Sequence, residues 1–442
     1  MAMAEKLSID PDEFSVDVQW PLKPEAGGNL LLDASLARFE LKAGISALTS
    51  YLTDEGIKNS YLTIPTYHFV EWLAQNWWSF LYEPRKDDRS DADSEFRSRH
   101  WLGFARNGFA LPDVMFIPSG ETMEINARQT YLRFAKLSFT QEGSSIVRTQ
   151  DVRAELAKFI QIVLSHMSEM GITGSEAHEA WQRILDTPAE EESYCRLIGA
   201  MGLSPYVEHP AIDKALDGIS ASITSSVLTD LCEATTLGSF AHAAEFTGRI
   251  SDALSKSPSI GVEPLLGIKT PVDNVRQAYE WGYNAASQAR QALGIGHDNP
   301  VGRSDFFSKL GFSPSDTADI GSPVSTVFPI QGATSRSDKT IKLALSSGTD
   351  KEFSAARASF LAWTSGDKES RLVTTARTRQ QRASRAFGAE LLAPAEFLKK
   401  RLGREKDVSP FALDKVSAEI GVASTIVRLQ AKNIGYRILE AA

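Results

Sequence analysis

The stretch KEFSAARASFLAW, residues 351–363, decides how the C-terminal part of the chain is interpreted. Its apolar residues recur at helical spacing, so it is predicted to form an amphipathic helix. It contains no histidine, and its only acid, Glu352, lies near its start. The expected packing face consists of Phe353, Ala356, Phe360 and Leu361. Arg357 is then expected to project into solvent.

The segments on either side alternate between helical and extended patterns. Upstream, two predicted helices cover 273–295 and 304–311, and two predicted strands follow at STVFPIQGAT (325–334) and KTIKLALSS (339–347). Downstream come the motif RASRAFGAELLAP (382–394) and a helical tail, SPFALDKVSAEIGVASTIVRLQAKNIG (409–435).

This order and these motifs resemble the ImmA/IrrE family of zinc metallopeptidases. The tail is similar to the closing helical pair of that family. Positions of RASRAFGAELLAP that agree with the family pattern FAAELLMP are Phe387, Ala389, Glu390, Leu391, Leu392 and Pro394. The resemblance covers roughly 272–438 and implies a zincin-like domain in this part of the chain.

In that family the helix after the second strand carries His-Glu-x-x-His. Two histidines four residues apart reach one zinc ion, and the glutamate activates the metal-bound water. The resemblance places the first histidine at Arg357, the general base at Ala358 and the second histidine at Leu361. It places the third ligand at Gln381, with Ala383 as the alternative register. None of these residues suits zinc, because a guanidinium is cationic and the two aliphatic side chains offer no donor atom.

The seven histidines do not supply a replacement site. They are His68, His100, His166, His178, His209, His242 and His297, and none lies between 340 and 400. The pair His178-Glu179 lacks a second ligand four residues on, and the spacing of His242 and Glu245 arises on helices by chance. The sequence therefore predicts no metal and no cofactor.

Two interpretations of Arg357 stay open at this point. It is either a solvated residue on a packing helix, or it replaces the positive charge of the metal and pairs with a nearby carboxylate. A buried arginine would need such a partner.

A second group of candidates suggests contact with DNA. Basic residues gather between 377 and 406, and the tail has the pattern of a helix-turn-helix motif. The candidate DNA-binding residues are Arg382, Arg385, Lys399, Arg401, Ser424, Thr425 and Arg428. The alternative is that this tail packs on the domain, as the family's own tail does.

Aromatic residues cluster between 72 and 109 and are interleaved with basic ones. The cluster is either a large aromatic core or a recognition surface, because Trp and Arg anchor many interfaces. The candidate partner-binding residues are Trp72, Trp77, Trp78, Trp101 and Arg106.

The bulk properties place the chain among soluble multidomain proteins. It has 442 residues, 42% apolar and 23% charged, with a net charge of −9. That length predicts two or three domains, and the negative charge argues against a surface built throughout for nucleic acid. Two cysteines, no hydrophobic leader and no apolar run of membrane length predict a cytoplasmic protein without membrane contact.

The predicted fold class is α+β. Residues 1–150 are expected to form a mixed α/β domain, with strands at FSVDVQW and NLLLDASLARFEL and a hairpin of VMFI and TMEI around the turn PSGE. A helical middle is expected at 151–255, a Pro/Gly/Ser-rich linker at 256–271, and the degenerate zincin-like domain at 272–442.

The predicted function is that of a catalytically inactive metallopeptidase-like regulator or scaffold that binds a protein partner. Members of the resembled family act in stress response, mobile-element control and phage defence, which suggests a similar setting. The alternatives are a DNA-binding transcriptional regulator that uses the basic tail, and an active zinc metallopeptidase with other ligands.

Overall fold

The fold is described from a computed structural model, which covers residues 12–21, 28–86, 90–219, 223–271, 273, 277–301, 303–311, 313–321, 329–346 and 350–439. The chain divides into two compact units, residues 10–208 and residues 209–442. Each unit contains both helices and strands, so the predicted α+β class is confirmed.

The N-terminal unit consists of small antiparallel sheets and packed helices. Its helices are α1 (Leu30–Ala34), α2 (Tyr67–Tyr82), α3 (Ser90–His100), α4 (Thr149–Glu169), α5 (Glu176–Leu185) and α6 (Glu192–Ala200). Its strands are β1 (Phe14–Gln19), β2 (Leu36–Ala43), β3 (Ser46–Ala47), β4 (Tyr51–Thr53), β5 (Lys58–Asn59), β6 (Leu62–Pro65), β7 (Asp113–Pro118), β8 (Thr122–Arg128), β9 (Thr130–Leu132), β10 (Leu137–Phe139) and β11 (Gly143–Arg148).

Aromatic rings join the sheets of this unit to its helices. The described strands form the orders β1-β2-β3 with β6 beside β2, β5-β4-β10-β9, and β11-β8-β7. Phe39 of β2, Phe69 of α2 and Phe159 of α4 pack with ring centroids 5.3 to 5.7 Å apart. The predicted hairpin is present as β7 and β8, whereas the predicted strand NLLLDASLARFEL begins as helix α1, because Asn29 caps the amides of Leu31 and Leu32.

The C-terminal unit holds the segments that surround residues 351–363. Its helices are α7 (Pro210–Gly218), α8 (Ser225–Ala234), α9 (Leu237–Lys256), α10 (Glu263–Leu266), α11 (Ala278–Ala292), α12 (Arg303–Leu310), α13 (Lys351–Thr364), α14 (Arg379–Leu392), α15 (Ala395–Leu402), α16 (Pro410–Ile420) and α17 (Ser424–Asn433). Its strands are β12 (Ile260–Gly261), β13 (Ala318–Asp319), β14 (Ile330–Ser337), β15 (Thr340–Leu345), β16 (Ser370–Thr374), β17 (Asp407–Val408) and β18 (Arg437–Ile438).

One sheet organises this unit. Its strand order is β12-β15-β14-β16, and β13 lies parallel to β15. Helix α13 packs on β14, β15 and β16, and α14 packs on α13 and α11. The predicted succession of two helices, two strands and the 351–363 helix is therefore present, and it places α13 and α14 side by side.

The predicted linker at 256–271 is wrong. Ile260 in β12 pairs with Ile341 of β15, and Val262 and Leu265 are buried in the same core. The Pro, Gly and Ser residues of this stretch make turns between short packed elements rather than a spacer. The predicted helical middle is also split, because α4 to α6 belong to the N-terminal unit and α7 to α9 to the C-terminal unit.

Parts of three predicted elements lie outside the described residues: 274–276 in the first upstream helix, and 325–328 and 347 in the two strands. Among the described helices, none combines the length and apolar character needed to cross a membrane.

Helices α11 and α14 cross closely at Gly282, where a β-carbon would lie 2.3 Å from the carbonyl oxygen of Ala383 and 2.7 Å from Cβ of Ala386. We expect Gly282→Ala to lower the free energy of unfolding by about 1 to 3 kcal/mol, because overpacking forces the helices apart. Gly248→Ala in α9 is the control, since no atom lies within 4 Å of its added β-carbon.

The control is expected to raise the free energy of unfolding by about 0.5 to 1 kcal/mol through reduced backbone entropy. Urea denaturation of both variants measures the difference. Equal stabilisation by the two substitutions would contradict the close crossing.

Candidate functional site

Helix α13 starts at the capping residue Asp350, whose side chain accepts a hydrogen bond from the amide of Phe353 at 3.0 Å. Every residue from Ser354 to Thr364 is buried. The predicted solvated face is therefore wrong. The small alanine and serine side chains let neighbouring elements approach the helix from all sides, which the apolar spacing did not reveal.

Arg357 lies at the centre of this buried helix and is 1% exposed. Its guanidinium donates hydrogen bonds in several directions. The acceptors are Ser384 Oγ at 3.2 Å, the Thr374 carbonyl oxygen at 2.6 Å, Gln381 Oε1 at 2.9 Å and Gln331 Oε1. A β-strand, a strand end and the neighbouring helix thus converge on one side chain.

None of these four acceptors carries a charge. Within the described ranges no carboxylate forms an ion pair with Arg357, so the predicted carboxylate partner is also wrong. Burial shifts the pKa of Arg357 well below its ordinary value, and the nearby charge of Arg385 lowers it further. The site holds an uncompensated positive charge that amide and carbonyl dipoles solvate.

The residues at the four positions that the resemblance assigns to a zinc site do not fit zinc. Ala358 and Leu361 are fully buried and have no ligand atoms. Gln381 directs its amide oxygen at Arg357, and a second cation would repel that guanidinium. Ala383, the alternative register, is fully buried as well.

No group of three His, Cys, Asp or Glu side chains able to hold a metal ion occurs in the part of the chain that is described.

Gly388 of α14 lies close to side chains of α13. A β-carbon at this position would lie 2.9 Å from the Phe353 ring and 3.4 Å from Cγ of Arg357. The absence of a β-carbon thus makes room for the Phe353 ring between α13 and α14.

A second polar network joins α14 to the tail through Glu390. Its Oε2 accepts hydrogen bonds from the backbone amide of Ala395 at 3.0 Å and from Gln430 Nε2. The hydroxyl of Tyr283 donates to the other end of Gln430 at 2.8 Å. Burial raises the pKa of Glu390 to about 7, although the Ala395 amide and Arg290 oppose the rise.

This pKa predicts a pH dependence of stability. The folded state binds the Glu390 proton more tightly than the unfolded state, whose carboxyl has a pKa near 4.5. Stability is therefore lost as the pH rises from 4.5 to about 7, by up to about 3 kcal/mol. We expect Glu390→Gln, which keeps the acceptor oxygen, to lose less stability than the wild type between pH 5 and pH 8.

Urea denaturation at pH 5 and pH 8 measures the free energy of unfolding of both proteins. All other titrating groups are the same in the variant, so the difference between the two pH profiles reports Glu390 alone. Parallel pH profiles of the two proteins would contradict a raised pKa at Glu390.

The helix-turn-helix pattern is present as α16 and α17, joined at Gly421 in the left-handed conformation with φ of 68°. Two of the candidate residues on α17 already contact an acid, however. Ser424 donates to Asp414, and Arg428 donates to both oxygens of the same carboxylate at 2.8 and 2.9 Å. Thr425 is exposed. An acid beside the recognition residues would repel phosphate.

The other basic candidates are spread over two helices. Lys399 pairs with Glu396, and Arg401 pairs with a carboxylate on α16. Arg382 and Arg385 lie on α14 and are half-buried. The predicted DNA-binding residues thus do not form one patch free of acids.

The aromatic cluster of the N-terminal unit is mainly core. Trp72, Trp77 and Trp78 are 8%, 2% and 3% exposed, so they do not form the predicted recognition surface. Trp101 and Arg106 are half-buried, and the Trp101 indole donates to a carboxylate of β7 at 2.6 Å.

Comparison with protein-family models, curated proteins and solved structures finds no significant match to this chain.

Proposed function

We propose that the C-terminal unit is a metallopeptidase-like domain without catalytic activity, and that the protein acts by binding a protein partner. The observation that carries this proposal is the buried guanidinium of Arg357, which stands at the predicted first zinc ligand and contacts Gln381 at the predicted third ligand. In a zinc site the metal ion would contact the third ligand. Here the cationic side chain of Arg357 makes that contact with Gln381 instead.

The surroundings of Arg357 support a role in structure rather than in chemistry. Four acceptors hold its guanidinium, and almost no surface of it meets solvent. A catalytic group must touch its substrate, and Arg357 has almost no exposed surface with which to do so. The remaining use of such a domain is recognition, and the family's association with repressor control and phage defence suggests a regulatory partner protein.

The alternative of a DNA-binding regulator is favoured by one observation, the tight turn between α16 and α17. It is disfavoured by the contacts of Ser424 and Arg428 with Asp414. The alternative of an active zinc metallopeptidase requires ligands at other positions of the chain.

Affinity purification from the native host tests the proposal. We expect a protein that co-purifies intact and in stoichiometric amount, while the purified chain holds no zinc after dialysis against Zn²⁺. A partner recovered in cleaved form, or one tightly bound zinc per chain, would contradict the proposal. Recovery of DNA with no protein partner would favour the regulator instead.

A further inference from the structure

Two guanidiniums converge on the loop that joins β16 to α14, residues 375–378. Arg357 from α13 contacts Thr374, the last residue of β16 before this loop, and Arg385 from α14 contacts both Thr374 and Ala376. The carbonyl oxygen of Thr374 accepts from both side chains, at 2.6 Å from Arg357 and 3.4 Å from Arg385. Arg385 also donates to the carbonyl of Ala376 at 2.9 Å. Two like charges are thus held around one neutral oxygen.

Two other arginines beside this loop show how the chain usually compensates such charges. Arg371 makes a two-point contact with Asp230, at 2.7 and 2.8 Å. Arg379 makes a two-point contact with Asp273, at 2.6 Å for both bonds. No comparable carboxylate faces Arg357 or Arg385 in the described ranges.

The positive charge at the loop can be reached from solvent on one side. Arg385 is half-buried, and Thr375 and Arg377 of the same loop are exposed. The side chain of Arg357 is buried beneath them, so it adds positive charge to this region although solvent hardly reaches it. An anion that docks on the outer edge of Arg385 would therefore be attracted by both guanidiniums and would relieve their mutual repulsion.

We propose that the 375–378 loop, with Arg385 above Arg357, is a binding site for a carboxylate from an acidic segment of the partner protein. The identity of the ligand as a protein rests on the proposed function, whereas the anion site itself does not. The charge lies partly below the surface, so a single flexible side chain reaches it more readily than phosphates on a rigid duplex. Guanidiniums bind carboxylates with strong, charge-assisted hydrogen bonds.

Calorimetric titration of the full chain with a hexaglutamate peptide at low salt tests the site. We expect binding by the wild type and by Arg428→Gln, which removes an arginine already paired with Asp414. Arg385→Gln should weaken binding by about tenfold or more, as expected for the loss of one charge-assisted contact. Equal affinities of the wild type and Arg385→Gln, or no binding by the wild type, would overturn the proposal.

Circular dichroism checks that Arg385→Gln folds, and Arg385→Lys is the substitute if it does not. Lysine keeps the charge but loses the two-pronged geometry, so weaker binding than in the wild type is again expected. If Arg385→Gln does not fold, and if a folded Arg385→Lys binds hexaglutamate as tightly as the wild type, then the Arg385 guanidinium is not the binding group.

Two further titrations separate the failure of this site from the failure of the proposed function. A duplex DNA that binds more tightly than hexaglutamate, and through Arg385, would overturn the peptide ligand. A wild-type chain that holds one zinc and still binds hexaglutamate through Arg385 would refute the proposed function and support the anion site.

Discussion

Replacing Arg357 with alanine is expected to lower the free energy of unfolding by about 3 to 5 kcal/mol. The substitution removes the donor that Thr374, Gln381, Gln331 and Ser384 share, and it leaves a cavity between two helices. A buried acceptor without a donor costs about 1 to 3 kcal/mol. Thr374 keeps its bond from Arg385 and Gln381 keeps its bond from the Thr374 amide, so the loss comes mainly from Gln331 and the cavity, and relief of the charge repulsion from Arg385 offsets part of it.

Denaturant unfolding of Arg357→Ala measures the loss, and Arg357→Met separates its causes. Methionine fills most of the volume but donates no hydrogen bond, so Arg357→Met should remain clearly less stable than the wild type. Arg428→Ala is the matched control, since its ion pair with Asp414 is exposed and is worth at most about 1 kcal/mol. An Arg357→Ala variant as stable as this control would show that the network does not support the fold.

The second large effect is expected from Asp230→Ala, about 3 to 5 kcal/mol. Asp230 is fully buried on α8 and accepts two bonds from Arg371 and one from the amide of Leu372 on β16. Its removal takes the hydrogen-bonded counter-charge from a buried guanidinium and removes these contacts between α8 and β16.

Asp414→Ala provides the comparison, because it removes an equivalent two-point carboxylate from an exposed pair. The ratio of the two losses is measured by urea denaturation of both variants. A loss at Asp230 as small as the loss at Asp414 would mean that α8 does not depend on this ion pair.

The elements that the sequence predicts well are those in which local pattern and burial agree. The helix at 351–363, the strands before it and the hairpin of β7 and β8 follow from apolar spacing and turn residues. Helix α1 does not follow from the apolar spacing. Asn29 caps its first amides and stabilises a helix, although the pattern of NLLLDAS is typical of a strand. The linker predicted at 256–271 is wrong for a related reason. Its Pro, Gly and Ser content indicates turns, but it does not reveal that Ile260 pairs with a distant strand.

The candidate site was only partly accessible from the sequence. The positions of Arg357 and Gln381 could be paired through a family motif, and these two residues do lie in contact at 2.9 Å. The other acceptors, Gln331 and Thr374, come from a strand and a strand end that are close only in the folded chain. The burial of Arg357 was unpredictable because an arginine on a helix is ordinarily solvated.

Restoring the ligands tests most directly whether this site derives from a zinc site. The variant carries Arg357→His, Leu361→His and Gln381→Glu, which supplies two imidazoles four residues apart and a carboxylate opposite them. Ala358 is left unchanged, because a buried glutamate there would endanger folding. The control carries Arg357→Asn, Leu361→Asn and Gln381→Glu, a similar loss of volume without imidazole.

The measurement is the zinc content of both folded variants after dialysis against excess Zn²⁺ and then against buffer. The account predicts about one zinc per chain in the histidine variant, and none in the control or the wild type. A folded histidine variant that retains no more zinc than the control would contradict the central claim that Arg357 occupies the place of a metal.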